Sequence, residues 1–383
     1  MIREEDACTF ELSRIFRYKP NLAKALVEHF GDAESLFKLS RGQLEEVFGP
    51  HCSLQSAIAE ADLEKAHREL REILDKGYRY LTITDPDYPD SLSICEDAPV
   101  GLFVDSEDSF RSIFGRKRIS VVGTRDISPY GMEWCRKTVY ALATTAERPS
   151  IVSGLAFGTD ITAHISAIEA GLPTIAVLGT GIGRVYPQQH TVYAERIRKL
   201  PGSAVLSEYP PDAGVSALNF LSRNRIIAGL SEATVLVESR IKGGGMTTAR
   251  LASSYGRDVF AVPGRNDDLR SQGCNVLIGR HTAEPLIDTG AFISYLGLKT
   301  QKAGKAHPDD TEKYLNGLSA RGCCDVEGIR RILLAIRSER GITVSGLAES
   351  TGMSMSSVLS ATGMLESDGM VTLDLLQRCF PAK

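Results

Sequence analysis

The stretch that decides the fold is Arg118–Arg125, RISVVGTR, followed by SPYG at residues 128–131. Its apolar and β-branched run predicts a buried strand, Gly-Thr-Arg predicts a turn, and Ser128-Pro129 predicts the start of a helix. Such a strand-turn-helix unit leaves backbone N–H groups at the helix N-terminus, where an anion can bind. Because Arg125 adds a permanent cation at the same edge, the stretch predicts a phosphate site.

The alternation of apolar strand and helix continues along the chain after this unit. Six strand-like runs are separated by helical segments: SVVG, IVSGLA, TIAVLG, SAVLSEY, ATVLVES and DVFAVPG. Two more, YRYLTI and VGLFV, precede them. Parallel strands covered by helices on both faces read as continuous apolar runs of this kind. The sequence therefore predicts an α/β protein whose core is an extended Rossmann-like parallel sheet over residues 74–299.

Both flanks of this core have a different character. Residues 1–73 place apolar side chains at helical spacing, which predicts a small helical domain that is SAM-like or helix-hairpin-helix-like. The polar, proline-containing residues 300–322 predict a linker. Residues 323–383 contain three helical segments and a terminal extended run, which is the pattern of a winged-helix domain.

Composition limits the classes of function. Residues 1–100 carry 12 Lys and Arg against 20 Asp and Glu, whereas residues 101–300 carry 22 against 18, and 17 of those 22 are arginine. The arginine fork matches phosphate oxygens, so a local polyanion site is expected in the central segment. The eight cysteines show no zinc-ligand spacing, and no apolar run is long enough to span a membrane. We expect a cytoplasmic protein without metal or cofactor.

Polar residues follow the predicted strands, at the edge where ligands bind in open α/β sheets. A helix containing Arg-Asn-Arg and a loop containing three successive glycines add further cations and free backbone. We read the Arg-Asn-Arg segment as the opening of its helix, and Thr247 as a cap of the helix after the glycines. The expected nucleic-acid contacts are Gly123, Thr124, Arg125, Ser153, Gly154, Arg223, Asn224, Arg225, Lys242, Gly243 and Gly244.

Enzyme motifs are incomplete in this chain. The run GTGIGR at residues 179–184 lacks the last glycine of a dinucleotide fingerprint, and no Walker loop is present. The glycine loop resembles that of nucleoside-monophosphate phosphoribohydrolases, but Met246 replaces a glycine and Arg250 stands where that family has its acid. A nucleotide-processing enzyme, with Glu208 or Glu238 as its acid, stays an alternative. We assign no catalytic residue.

Nine ordered motifs together resemble the DNA-processing protein A (DprA/Smf) family. They are DPDYPDSL, VVGTRDISPYG, IVSGLAFGTDITAH, TIAVLGTGI with VYP, LSEYP, FLSRNRIIAGLS, GGGMTTA, GRDVFAVPG and GCNVLI. Two departures are Phe157, where a basic residue is frequent, and Arg280-His281-Thr282, where a Gly-Ala pair is usual. The resemblance implies a homodimeric protein without catalytic activity, which binds single-stranded DNA and loads RecA recombinase on DNA taken up in natural transformation.

Two further expectations concern the bases and the C-terminal domain. Phe157 and Tyr130 are candidates for stacking on bases, as in sequence-tolerant strand binding. The would-be recognition helix, SMSSVLSATGMLESDG, contains no Lys or Arg. A helix that reads duplex DNA needs cations near the phosphates, so protein contact is the expected use of this domain. A transcriptional regulator that reads duplex DNA through it is the third alternative.

Overall fold

The computed structural model describes residues 2–300, 314–315, 317–318, 325–339, 341–373 and 378–381. Contacts between residues divide the chain into two compact units, Met1–Gln301 and Lys302–Lys383. Most of the predicted 300–322 linker lies outside the described residues. Among the residues that are described, no helix is long and apolar enough to cross a membrane.

The first unit begins with six short helices, in the segment for which the sequence predicts a helical domain. They are α1 (Glu4–Ile15), α2 (Pro20–Phe30), α3 (Ala33–Phe37), α4 (Arg41–Phe48), α5 (Ser53–Ala59) and α6 (Leu63–Leu74). Side-chain caps start several of them; in α4 the Ser40 hydroxyl and the Gln43 amide form a capping box. The helices share a core with the sheet, since Phe10 of α1 packs edge-on against the Phe103 ring, with 6.0 Å between centroids.

A nine-stranded sheet forms the centre of the first unit. Its strands are β1 (Arg79–Thr82), β2 (Gly101–Asp105), β3 (Arg118–Val122), β4 (Ser150–Ser153), β5 (Thr174–Val177), β6 (Ala204–Ser207), β7 (Ala233–Leu236), β8 (Asp258–Ala261) and β9 (Glu284–Pro285). The spatial order is β1-β2-β6-β5-β4-β3-β7-β8-β9. The six predicted strands, β3 to β8, are parallel to one another, and β1 and β2 extend the sheet antiparallel. The predicted α/β class and Rossmann-like sheet are confirmed.

Helices connect the strands and cover the sheet. They are α7 (Asp90–Ser93), α8 (Phe110–Phe114), α9 (Pro129–Ala143), α10 (Thr159–Glu169), α11 (Thr191–Lys199), α12 (Ala217–Leu230), α13 (Gly244–Ser254), α14 (Gln272–Gly279) and α15 (Thr289–Tyr295). One core cluster joins Val122 of β3 to Ile226 of α12, and another joins Ile119 of β3 to Val139 of α9. Because adjacent strand residues point to opposite faces, β3 is buried on both sides.

The second unit has the predicted winged-helix arrangement. Its described elements are α16 (Val326–Ser338), β10 (Ile342–Thr343), α17 (Val344–Thr351), α18 (Met355–Ser367), β11 (Val371–Leu373) and β12 (Arg378–Pro381). The strands form an antiparallel sheet in the order β10-β12-β11. Ile332, Leu347, Val358 and Leu365 are buried together, so the three helices and the small sheet share one core.

Candidate nucleic-acid interface

A cleft of about 630 Å³ opens at the carboxyl edge of the sheet. The chain runs outward from β3 through β4, β5 and β6, then returns to place β7 on the other side of β3. This reversal of strand order leaves a crevice beyond the strand ends, which is where ligands bind in open α/β sheets. The cleft is lined by residues of the turn after β3, the loops after β4, β5 and β7, and the helices α12 and α13.

The Gly-Thr-Arg turn after β3 forms one wall of the cleft. The Thr124 amide donates a hydrogen bond to the Glu238 carbonyl (2.7 Å), and the Thr124 carbonyl accepts one from the Thr159 amide (3.1 Å). Backbone on both sides thus holds the turn, and the exposed Arg125 side chain lines the cleft. Its guanidinium carbon lies 5.7 Å from the centroid of the Phe220 ring.

The N-terminus of α9 differs from the prediction. The first residue, Pro129, has no N–H, and the Gly131 amide is occupied because it donates to the Ser128 hydroxyl (3.0 Å). The Glu238 carboxylate accepts from both the amide (2.9 Å) and the hydroxyl (2.5 Å) of Ser128. The expectation of free N–H groups at this helix is therefore wrong, since the protein's own carboxylate holds the position predicted for an anion.

The N-terminus of α13 has no side-chain cap, unlike that of α9. The helix begins at Gly244 with Gly243 as its N-cap, and no side chain caps it. The predicted cap, Thr247, lies inside the helix, so that expectation is wrong. A Cβ on Gly245 would lie 3.0 Å from the Gly123 Cα, so this close approach requires glycine. The start of α13 therefore lies against the Gly-Thr-Arg turn in the cleft, where backbone amides that no side chain caps can bind an anion.

The Arg-Asn-Arg segment lies in the middle of α12, not at its start. The helix begins at Ala217, so the expectation that Arg-Asn-Arg opens the helix is wrong. Arg223 is 4% exposed and forms part of the cleft floor beside Asn224. Its guanidinium donates to the carbonyls of Gly154 (2.7 Å) and Val177 (2.5 Å), which ties α12 to the ends of β4 and β5.

Arg225 faces a different part of the molecule. Its guanidinium forms a buried ion pair with Glu208, and the two side chains are 5% and 10% exposed. Glu208 also accepts a hydrogen bond from the Ser222 hydroxyl at 3.4 Å. Arg225 does not line the cleft, whereas Arg223 and Asn224 of the same segment do.

Ser153 and Gly154 lie at the end of β4, behind the residues that line the cleft. The buried Ser153 hydroxyl donates to the Val121 carbonyl at 2.7 Å, which joins β4 to β3. A Cβ on Gly154 would overlap the Arg223 guanidinium, so glycine is required beneath that side chain. Neither residue lines the cleft.

The structure adds three residues that the sequence reasoning did not select. Arg240 lines the cleft and is exposed, as is the predicted Lys242. Phe220 and Tyr186 place two rings in the same cleft, 5.6 Å apart between centroids. The signals were present in the sequence, since both aromatic residues belong to the quoted motifs FLSRNR and VYP, and Arg240 follows the end of β7.

Phe157 and Tyr130, the stacking candidates chosen from the sequence, lie outside the cleft. Phe157 is 40% exposed, and its ring packs edge-on against His190 with 5.1 Å between centroids. The Tyr130 hydroxyl donates to the Pro263 carbonyl at 2.6 Å. Neither ring lines the cleft.

Acidic and nucleophilic groups near the cleft are engaged by the protein. Glu208 is paired with Arg225, and Glu238 binds Ser128. Burial raises the pKa of Asp160, which lies in the cleft floor, above its ordinary value. Burial also raises the pKa of the Cys274 thiol to about 12, which disfavours the nucleophilic thiolate. Within the described ranges, no three His, Cys, Asp or Glu residues are grouped to hold a metal ion.

The chain is similar to a curated protein sequence and to a solved structure. The chain is 35% identical to Protein Smf of Synechocystis sp. over 302 residues, which cover 78% of this chain and 74% of that protein. The X-ray structure of DNA processing protein A from Streptococcus pneumoniae superposes with a TM-score of 0.65 at 29% identity, covering 76% of this chain and 98% of that one.

A second solved structure concerns the single-stranded DNA binding mode of DNA processing protein A from Helicobacter pylori. It has a TM-score of 0.50 at 28% identity and covers 57% of this chain and 95% of that one. Residues 329–372 match the winged helix-turn-helix DNA-binding family. Residues 79–297, which contain the whole cleft, match the family of DNA recombination-mediator protein A. The chain belongs to the DNA recombination-mediator protein A family.

Proposed function

We propose that this protein binds single-stranded DNA in the cleft at the carboxyl edge of the sheet. The observation that carries the proposal is the charge of the cleft. Arg125, Arg240 and Lys242 are exposed along its walls, and within the described ranges no acidic side chain forms an ion pair with any of them. Unpaired cations around an uncapped helix N-terminus attract phosphate groups.

The rings in the cleft favour a single strand over a duplex. Phe220 and Tyr186 line the same cleft as the cations, and we expect unpaired bases to stack on them. In a duplex the faces of the bases are already stacked on one another, so the rings have no partner there. Stacking is sequence-tolerant because every base has a π-face, and we expect binding without strong sequence preference.

The cleft binds its ligand without a chemical step in this proposal. Glu208 and Glu238, the acids of the enzyme alternative, are held by Arg225 and Ser128. Incubation of the protein with nucleoside monophosphates tests this point. No free base should appear above a protein-free control, and base released in proportion to protein would favour the enzyme.

The wider role that we propose follows family membership. The protein loads RecA recombinase on single strands taken up in natural transformation, acts in the cytoplasm and forms a homodimer. Co-precipitation with RecA in the presence of single-stranded DNA, together with light scattering of the free protein, tests both associations. A protein that stays monomeric and does not retain RecA contradicts this part.

Fluorescence anisotropy with a labelled oligothymidine and a duplex of equal length tests the DNA specificity. We expect tight binding of the single strand and weaker binding of the duplex. Arg196, an exposed arginine of α11 that does not line the cleft, supplies a matched control. Replacement of Arg125, Arg240 or Lys242 by alanine should weaken binding, whereas Arg196→Ala should not.

The same experiment tests the regulator alternative. In α18 the exposed apolar residues are Met355 and Leu359, and the helix contains no Lys or Arg. If residues 325–383 bind duplex DNA more tightly than the complete chain binds single strands, the regulator replaces our proposal.

A further inference from the structure

Leu155, next to the cleft, has an unusual backbone conformation. Its φ angle is 58°, in the left-handed region that residues with a Cβ rarely adopt. The side chain is fully buried in a core cluster with Leu178 and Ile197. Such a conformation persists only where its surroundings hold it, and strained residues of this kind concentrate at functional sites.

His190 supplies one of the contacts that hold Leu155. The Nδ1 atom of His190 lies 2.8 Å from the Leu155 carbonyl oxygen. Because a carbonyl can only accept, Nδ1 carries the hydrogen and donates. His190 is 6% exposed, and its ring also packs against Phe157, two residues after Leu155. One imidazole therefore contacts two residues of the loop at residues 154–158, Leu155 and Phe157.

This loop in turn supports the Gly-Thr-Arg turn. Gly158 has a φ angle of 73°, and a Cβ there would overlap the carbonyl oxygens of Thr124 and Arg125. Thr159 donates to the Thr124 carbonyl through its amide (3.1 Å) and its hydroxyl (3.2 Å). The position of the Arg125 side chain thus depends on the loop that His190 holds, although His190 does not line the cleft.

We propose that His190 is a positioning residue for single-strand binding, which acts by fixing residues 154–158 and through them the Arg125 turn. The inference rests on the proposed DNA-binding function. Its chemistry is specific: the loop requires a hydrogen-bond donor at the δ position of residue 190. Asparagine can place an N–H at that position, whereas glutamine places its N–H one atom further out.

The experiment compares His190→Asn, His190→Gln and His190→Ala in the full chain. Loss of one buried hydrogen bond should weaken oligothymidine binding about tenfold in the Gln and Ala variants, while Asn binds as wild type. The dependence of affinity on salt should be the same in all four proteins, because no phosphate contact is lost. If Asn weakens binding as much as Gln, or if Gln binds as wild type, the proposal is wrong.

Hydrogen exchange in the free protein gives a second readout that needs no DNA. The amides of residues 124–126 and 155–158 should exchange faster in the Gln variant than in wild type and the Asn variant. The midpoint of thermal unfolding, measured for each protein, separates a local loosening of these residues from a loss of global stability. Equal exchange in all variants overturns the inference even if DNA binding is confirmed. A wild-type protein that does not bind oligothymidine would instead contradict the proposed function. If the His190→Ala variant does not fold, the comparison of His190→Asn with His190→Gln tests the proposal.

Discussion

The Arg125 guanidinium lies 5.7 Å from the centroid of the Phe220 ring, so a cation from the end of β3 faces an aromatic ring of α12 across one cleft. The two residues are 95 positions apart in the chain. Their approach joins the two groups that sequence-tolerant strand binding needs, a charge for the phosphate and a flat surface for the base.

Arg125→Ala should weaken binding to all single strands alike, because a phosphate contact carries no base information. The slope of log affinity against log salt should fall by about one unit for the lost contact. The fold should survive, since Arg125 is exposed. Anisotropy titrations at four salt concentrations measure both effects, with Arg196→Ala as control. Normal binding by Arg125→Ala would remove this residue from the site.

Phe220→Leu should weaken binding with an unchanged salt slope, because the ring is lost and no charge is removed. Loss of one stacked base should cost about 1–3 kcal/mol of binding free energy. Phe110→Leu is the matched control, since Phe110 packs on Phe114 outside the cleft. An equal loss of affinity in Phe110→Leu and Phe220→Leu would remove the Phe220 ring from the site.

Arg225→Ala should affect stability and leave the affinity of the folded protein for DNA unchanged. The substitution leaves the buried Glu208 carboxylate without its partner, which should lower the free energy of unfolding by about 3–5 kcal/mol. Replacing both partners, as Glu208→Leu with Arg225→Met, should be less destabilising than Arg225→Ala. Urea denaturation measures the stability. A stable Arg225→Ala protein with weakened DNA binding would place Arg225 in the interface.

His164 should make stability depend on pH. Burial lowers the pKa of His164 to about 3 in the folded protein, and Nδ1 lies 2.8 Å from the Thr174 hydroxyl. The unfolded chain takes up the proton below about pH 6.5, and the folded chain does not. Stability is therefore complete above pH 6.5 and falls as the pH decreases, by about 2 kcal/mol at pH 5.

The Thr174 hydroxyl donates to the Ile151 carbonyl (2.8 Å), so it accepts from His164 Nδ1. His164→Asn keeps a donor for Thr174 and removes the titrating group, so it is the control for this effect. Urea denaturation at pH 5 and pH 7.5 should show a smaller difference for the variant than for wild type. The prediction fails if both proteins lose the same stability between the two pH values.

The fragment of residues 1–300 should bind oligothymidine as the complete chain does, because it contains the compact unit with the cleft. A fragment of residues 74–299 also contains the cleft, but it lacks Phe10, which packs on Phe103 of β2. We expect it to be less stable, by thermal denaturation, than the longer fragment. Equal stability of the two fragments would show that the N-terminal helices add nothing to the sheet.

The sequence by itself determined the strands, the connecting helices and the edge at which the site lies. Continuous apolar runs separated by helical segments admit little besides a parallel sheet covered on both faces, and the carboxyl ends of parallel strands meet at one edge. For that reason Gly123, Thr124, Arg125 and Lys242 are predicted on the cleft and lie there.

Only the tertiary structure decided which side chains face the cleft and which are used within the protein. Arg223 and Arg225 are two positions apart on a helix, so they point in different directions; one lies in the cleft floor and the other is paired with Glu208. Glu238 occupies the start of α9, whereas no side chain caps the start of α13 in the cleft. These outcomes depend on contacts between residues distant in the chain, which local patterns do not encode.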